Sequence, residues 1–234
     1  MKQAADWYKD KGQPVPQNAG HVRANRDIAL FSTIFNYAHE VGLTSAPNPA
    51  QGVRKNKESD RDVYVENGLY KAVYDKADQP LMDAMDVAYL TGQRPADTLK
   101  LSEDHIINGQ LELQQGKTKK KLRIQIIGKL AQVIERILAR KATYKVASRK
   151  LIVNGQGQAL GREALRSRFD KAREAANIRK SAFQFRGLRA KAGTDKAESS
   201  KDIRQAQKQL GHASVAMTET YVRKRKGDVT TPTE

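Results

Sequence analysis

The sequence predicts a mainly α-helical chain with one small antiparallel β-sheet. Three observations carry that prediction. Most apolar residues recur at helical spacing, one stretch near the middle alternates with a period of two, and Pro and Gly fall where helices would start or stop.

Residues 22–41, VRANRDIALFSTIFNYAHEV, place Ile28, Phe31, Ile34, Phe35 and Ala38 at helical intervals, and Gly42 stops the run. The following LTSAPNPAQGVRKNKESDRD is rich in Pro, Asn, Ser and charge and lacks periodicity, as a linker does. The first 45 or so residues thus hold about two helices, too few to bury a core alone. Helical patterns resume at 66–76 and 80–90. Pro95 in TGQRPADTLKL suits the first turn of a further helix, which puts Arg94 at its N-terminus. Across 106–126 the period changes: Leu111, Leu113, Leu122, Ile124 and Ile126 alternate with polar residues on either side of a break at Gly116. That pattern predicts a β-hairpin with a very basic tip. Leu130, Val133, Ile134, Ile137 and Leu138 mark another helix, and Leu165, Phe169, Ala172 and Ala176 mark one more. Between them, LIVNGQGQALG spaces its glycines as G-x-G-x-x-x-G after only three apolar residues, with no acidic residue at the ribose-binding distance. It reads as a turn rather than a dinucleotide loop. Most of the remainder is helical by pattern, and there is no internal repeat.

Charge narrows the partner. In 234 residues, 43 Lys and Arg face 26 Asp and Glu, a formal net charge of +17. The isoelectric point is about 10.0. Such a surplus points to a polyanion, and nucleic acid leads because phosphates supply most of that kind of affinity. No run of about 18 apolar residues exists, so no membrane partner is expected. The absence of cysteine excludes disulfides, thiolate zinc sites and Cys nucleophiles. The N-terminal MKQAADWYKDKGQPVP has no apolar secretory core, which makes a cytosolic or nucleoid location the default expectation.

His21, His39, His105 and His212 lie far apart with no paired ligand spacing, so no metal site is expected. Asp83, Asp86, Asp97 and Asp104 are the nearest approach to a carboxylate cluster, and Asp83 with Asp86 reads as one solvated helix face. No G-x-S-x-G elbow is present. What remains is cationic: Arg94, Lys117 in GKTKKKLR, Arg186 and Arg189 in FRGLRAKAG, and His212 and Tyr221 in LGHASVAMTETYVRKRK. Each has a plain reading by itself. A surface Arg is solvated, Lys119, Lys120, Lys121 and Arg123 form a phosphate-binding stripe, His212 caps a helix, and Tyr221 is a packing aromatic.

In order, these motifs resemble the catalytic domain of the tyrosine recombinases, the phage-integrase family. TGQRPADTLKLSEDHI is similar to the family's first arginine box, with Arg94 as its arginine and Asp97 at the acidic position. GKTKKKLRIQI resembles the hairpin carrying the family's lysine, here Lys117. FRGLRAKAG is similar to the second box, with Arg189 as its arginine, and LGHASVAMTETYV to the last, with His212 and the nucleophile Tyr221. One position departs: Arg186 stands where the family has a His, and an Arg cannot accept a proton at neutral pH.

The resemblance spans about residues 55–225 and implies the DNA breaking-rejoining fold. Residues 1–50 would then be the C-terminal part of a helical core-binding domain plus linker, and 51–234 the catalytic domain. It also implies metal-free, cofactor-free recombination through a 3′-phosphotyrosyl bond, in which Tyr221 attacks DNA. The partners implied are double-stranded DNA attachment sites, a homotetramer on DNA joined through the tail VRKRKGDV, and accessory DNA-bending proteins. The setting would be the cytoplasm or nucleoid of a bacterial host. Two alternatives stay open: a type IB topoisomerase using the same chemistry, and a DNA-binding module from a truncated or degenerate integrase that does not cleave.

Overall fold

The structure is a computed structural model that describes residues 2–58, 63–146 and 148–226, with the side chains at 2, 3, 221 and 223–226 outside that description. Contacts divide the chain into two units, Met1–Arg61 and Asp62–Glu234.

The first unit holds α1 (Lys2–Asp10) and α2 (His21–Glu40). Gly42 follows α2 with φ +75, a left-handed conformation that suits glycine and ends the helix. The aperiodic stretch beyond it forms no regular element but is tied back onto α2 by asparagine amides. Asn25 Nδ2 donates to the Asn56 carbonyl and to Glu58, each at 2.8 Å, and Asn48 Nδ2 donates to Ser32 Oγ at 2.9 Å and Asn36 Oδ1 at 2.7 Å. Of the apolar positions expected to form the buried face of α2, Ile28, Phe35 and Ala38 are half-buried, whereas Phe31 and Ile34 are exposed together with Leu30 and Tyr37. Two helices offer too little surface to cover that face.

In the second unit, α3 (Asn67–Tyr74), α4 (Gln79–Thr91) and the one-turn α5 (Pro95–Thr98) precede an antiparallel sheet in the order β1 (Ile106–Ile107), β2 (Gln110–Gln114), β3 (Lys121–Gln125). Among the described residues five helices follow: α6 (Gly128–Ala142), α7 (Arg162–Ala175), α8 (Gly187–Ser200), α9 (Ile203–Leu210) and α10 (Val215–Lys226). The class matches the expectation of a mainly α chain with one small sheet. β2 and β3 pair Leu111 with Ile124 and Leu113 with Leu122, the alternation that the sequence displays. The stretch containing NGQGQ is a turn closed by a bridge between Val153 and Ala159. Among the described residues no helix is long and apolar enough to cross a membrane.

α4 begins cleanly, because Asp78 Oδ1 accepts from the Leu81 amide at 3.2 Å and Pro80 fits the first turn. It is buried on nearly every side, by Leu81, Ala84, Met85, Val87 and Ala88, and packs against α6 and α8. The core continues through Ile134, Ile137, Leu151, Ile152 and Leu188, with Phe169 edge-on to Phe183 and Phe185.

A helix buried all round must also bury its polar positions. Asp83 and Asp86 therefore do not form the solvated face expected from their spacing. Asp83 is fully buried and receives Arg136 at 2.9 Å, Arg140 at 2.6 Å and Gln79 at 2.9 Å, while Arg136 also reaches Asp86 at 2.8 Å. Helix α8 uses a second such cluster. Lys191, 2% exposed, donates to Asn67 at 2.5 Å and Tyr64 at 3.1 Å and lies 3.0 Å from Asp195. Tyr64 and Tyr89 both donate to Asp195, and their rings lie beneath the ammonium. Burial and the Asp195 carboxylate push both phenols well above the ordinary tyrosine range.

Removing one partner of such a buried set leaves uncompensated charge. Asp83→Ala should lower unfolding stability by about 3–5 kcal/mol, read as a fall in the urea midpoint, whereas Asp27→Ala in the exposed Arg23 pair should cost under about 1 kcal/mol.

Candidate active site

Arg189 sits in the first turns of α8 and is 4% exposed. Its guanidinium spans two helix ends: Nη1 donates to the Gly92 carbonyl at 2.8 Å and Nη2 to the Leu210 carbonyl at 2.6 Å. Gly92 closes α4 and Leu210 is the last residue of α9. Carbonyls at helix C-termini lack intrahelical donors and carry partial negative charge, so a cation is favoured there.

Arg94 caps α5 in extended conformation, with the Asp97 and Thr98 amides bonded to its own carbonyl. Its Nη1 donates to Gln115 Oε1 at 3.2 Å and lies 3.9 Å from Asp97 Oδ2. Asp97 is buried, and its Oδ1 accepts from the Gly116 amide at 2.9 Å. The acidic position of this motif thus joins the arginine loop to the hairpin.

Gln115 is fully buried and ties several segments together. Its Nε2 donates to Gln93 Oε1 at 2.8 Å and to the Leu210 carbonyl at 2.9 Å, and its Oε1 accepts from Arg94 and, at 2.7 Å, from the Thr118 hydroxyl. The next residue, Gly116, starts the hairpin tip, where Lys117, Lys119, Lys120 and Lys121 are exposed, as is Arg123 on β3. Gly211 lies against the Gln115 amide. A Cβ there would be 3.1 Å from both Oε1 and Nε2, and φ is +66, so two constraints call for glycine before His212.

The His212 amide donates back to the Gln207 carbonyl at 3.1 Å, so the residue does close a helix, as its plain reading expects. Its side chain, 8% exposed, places Nδ1 3.0 Å from Thr218 Oγ1. Burial first, then the charges of Arg189 and Arg94, lower its pKa from 6.5 to about 4. The ring is neutral at pH 7. Thr218 is fully buried on α10, and Tyr221 follows it by three residues on the same helix. The short helical turn expected at 218–221 is therefore part of a 12-residue helix. The Tyr221 side chain and the tail beyond residue 226 lie outside the described residues. Arg186 is exposed at the N-cap of α8.

The structure thus gathers Arg94, Asp97 and Arg189 around one set of hydrogen bonds, with His212 within the electrostatic reach of both arginines, Lys117 two residues beyond Gln115 and Tyr221 one turn beyond Thr218. Among the described residues no three His, Asp or Glu side chains group as metal ligands would. Sequence reasoning missed Gln93, Gln115 and Thr218. Gln115 carried a signal: it shares the inward parity of Leu111 and Leu113, and a polar residue at an inward position needs buried partners. The acceptors Gly92 and Leu210 are backbone groups and left no trace in residue type.

The sequence model of the phage integrase family matches residues 65–227. No curated protein matches the chain in sequence. Among solved structures, a fragment of lambda integrase, in a dimer bound to a COC′ core site, is similar at 22% identity with a TM-score of 0.78, over 99% of this chain and 81% of that one. Of a longer lambda integrase chain, bound to the same core site, 65% is covered. The Tn1549 transposon integrase, in complex with circular intermediate DNA, is similar at 15% identity and a TM-score of 0.66, over 98% of this chain and 81% of that one. The XerH site-specific recombinase, in a post-cleavage complex with difH, is similar at 15% identity and a TM-score of 0.62, over 88% of this chain and 69% of that one.

The depressed pKa of His212 has a sign for stability. Between pH 6.5 and about 4 the unfolded chain binds the proton that the folded one refuses, so stability is fully present above that window and falls as pH drops through it. Thermal melts should show the native chain losing on the order of 5 °C more than His212→Gln between pH 7 and pH 4.5.

Proposed function

The chain belongs to the phage integrase family, and we propose that it acts as a site-specific DNA recombinase in which Tyr221 is the nucleophile. The observation that carries this reading is the cationic cluster: two guanidiniums, Arg94 and Arg189, share the Gln115–Leu210 hydrogen-bond set beside a neutral His212.

The phenolate oxygen of Tyr221 attacks the phosphorus of a DNA phosphodiester. The bond from phosphorus to the 5′-oxygen breaks, leaving a 3′-phosphotyrosyl link and a 5′-hydroxyl, and attack by another 5′-hydroxyl reverses the step on a new strand. Forming phenolate at pH 7 from a group of pKa near 10 costs roughly 4 kcal/mol. Arg94 and Arg189 offset that cost by binding the non-bridging oxygens, whose charge grows in the transition state. Their fixed placement supports a metal-independent reaction. Lys117, exposed on the hairpin tip, gives its proton to the departing 5′-oxygen, a task for which Arg is too weak an acid.

His212 acts as a hydrogen-bond donor. The Thr218 hydroxyl, which donates to the Ser214 carbonyl at 3.4 Å, lies 3.0 Å from Nδ1 and fixes the plane of the ring that meets a phosphate oxygen. Asp97 orients Arg94. Arg186, exposed where the family has His, contacts phosphate and takes no proton. Lys119, Lys120, Lys121 and Arg123 bind the DNA backbone. Residues 1–50 serve as part of a core-binding module ahead of the catalytic domain at 51–234; the presence of two contact units supports two domains, although those units part between residues 61 and 62. Assembly on double-stranded attachment sites as a tetramer, with the tail on a neighbouring protomer and DNA-bending accessory proteins, is the arrangement this reading requires, in the bacterial cytoplasm.

The test begins with duplex sites selected by the native chain from a randomised DNA pool, then nicked so that the released fragment diffuses away. A denaturing gel should show a covalent adduct with the native chain and none with Tyr221→Phe. An adduct that survives the substitution removes Tyr221 as nucleophile, and no adduct from the native chain favours the non-cleaving DNA-binding module.

Binding to the same duplex, followed by fluorescence anisotropy, should weaken by on the order of 100-fold or more between ~50 and ~200 mM salt. A flat dependence would contradict a phosphate-dominated footprint.

A further inference from the structure

We propose that Gln115 is a positioning residue that sets the general-acid loop and Arg94 as one unit, anchored on the backbone acceptor that Arg189 also uses. The inference rests on the recombinase reading above. It starts from an amide with every hydrogen-bonding position in use. A glutamine side chain offers two N–H donors and a carbonyl with two lone pairs. The donors go to Gln93 and to the Leu210 carbonyl, and the carbonyl receives Arg94 and Thr118. Gln115 itself is fully buried, so a lost partner leaves its amide with an unsatisfied group, and the four segments are held in one arrangement.

Each partner leads to a different reacting group. Arg94 binds phosphate directly. The Leu210 carbonyl also receives Arg189 Nη2 at 2.6 Å, so Gln115 and Arg189 share one acceptor. Thr118 is the residue after Lys117, and Gln115 also closes the tip through its backbone, which donates to the Lys120 carbonyl and accepts from the Lys119 amide, both at 2.9 Å. Among the described residues no backbone hydrogen bond is seen at Lys117 itself. Its position along the hairpin tip follows from Gly116 bonded to Asp97 on one side and Thr118 bonded to Gln115 on the other. Pulling the amide away therefore releases the proton donor and loosens the first arginine together.

The experiment uses a leaving group that separates proton donation from the rest. The selected nicked duplex is made with the ordinary 5′-oxygen or with sulfur in its place, since a thiolate departs without a proton. Lys117→Ala provides the reference: slow on oxygen, restored on sulfur. Gln115→Ala should cleave the oxygen duplex about 100-fold more slowly than the native chain and recover to within about 10-fold on sulfur, the residue being the Arg94 contribution. Thr118→Val, which removes one hydroxyl from an exposed turn, should lose about 10-fold on oxygen and recover fully.

A native rate for either variant on oxygen overturns the proposal, as does a loss that sulfur leaves unchanged, since that places the defect in the fold. Should the native chain form no adduct, the recombinase reading fails, and hydrogen exchange decides the positioning separately. Gln115→Ala should speed amide exchange at Gly116 and Lys119 about 10-fold or more while core amides such as Ile137 and Leu188 keep their protection. Unchanged exchange at the tip overturns the proposal.

Discussion

The carbonyl oxygen of Leu210 accepts two hydrogen bonds, from Arg189 Nη2 and from Gln115 Nε2, and the arrangement of the site depends on it. The carbonyl is available because α9 ends there: Gly211 turns left-handed, and among the described residues no later amide closes the last turn onto Leu210. Holding that carbonyl in place requires the Leu210 side chain to be seated, and it is. Its methyls rest over Gly92 and Gly193, where a Cβ would lie 3.1 Å and 2.7 Å away. Two glycines on separate helices thus make the room in which one backbone acceptor can join the hairpin to the second arginine.

The rigidity behind that acceptor comes from α4, which is buried on nearly all sides, and from the buried first half of α8. The charged residues buried there are neutralised internally, Asp83 by Arg136 and Arg140, Lys191 by Asp195 and a ring of tyrosine and asparagine groups. Those sets add little net stability in comparison with apolar packing, but breaking one is costly, which fixes the rotation of each helix. Arg189 and Lys191 lie two residues apart on α8 and so face different sides. Locking the lysine against Asn67 and Tyr64 orients the arginine toward Gly92 and Leu210.

Electrostatically the centre is one-sided. Arg94 and Arg189 are accompanied by the buried carboxylate of Asp97, which is itself engaged by the Gly116 amide and is 3.9 Å from Arg94. Burial first, and then this surplus positive potential, keeps His212 neutral. An arriving anion would relieve the potential.

Much of this was legible from the chain alone. Helix positions, the hairpin and the glycine stops follow from periodicity and residue type, because burial of one face imposes a repeat that composition preserves. The arginines, Lys117, His212 and Tyr221 could be picked out only as an ordered set resembling a family, since each alone has a commonplace reading. The errors came where tertiary packing overrode local pattern: Asp83 looked solvated and is fully buried, and the turn at 218–221 belongs to a longer helix. The sequence by itself determined which segments are helical and which cationic side chains are available to the site. Only the tertiary structure decided how those side chains are held, because the groups that hold them, the carbonyls of Gly92 and Leu210 and the buried amide of Gln115, act through position. A backbone oxygen is the same in every residue.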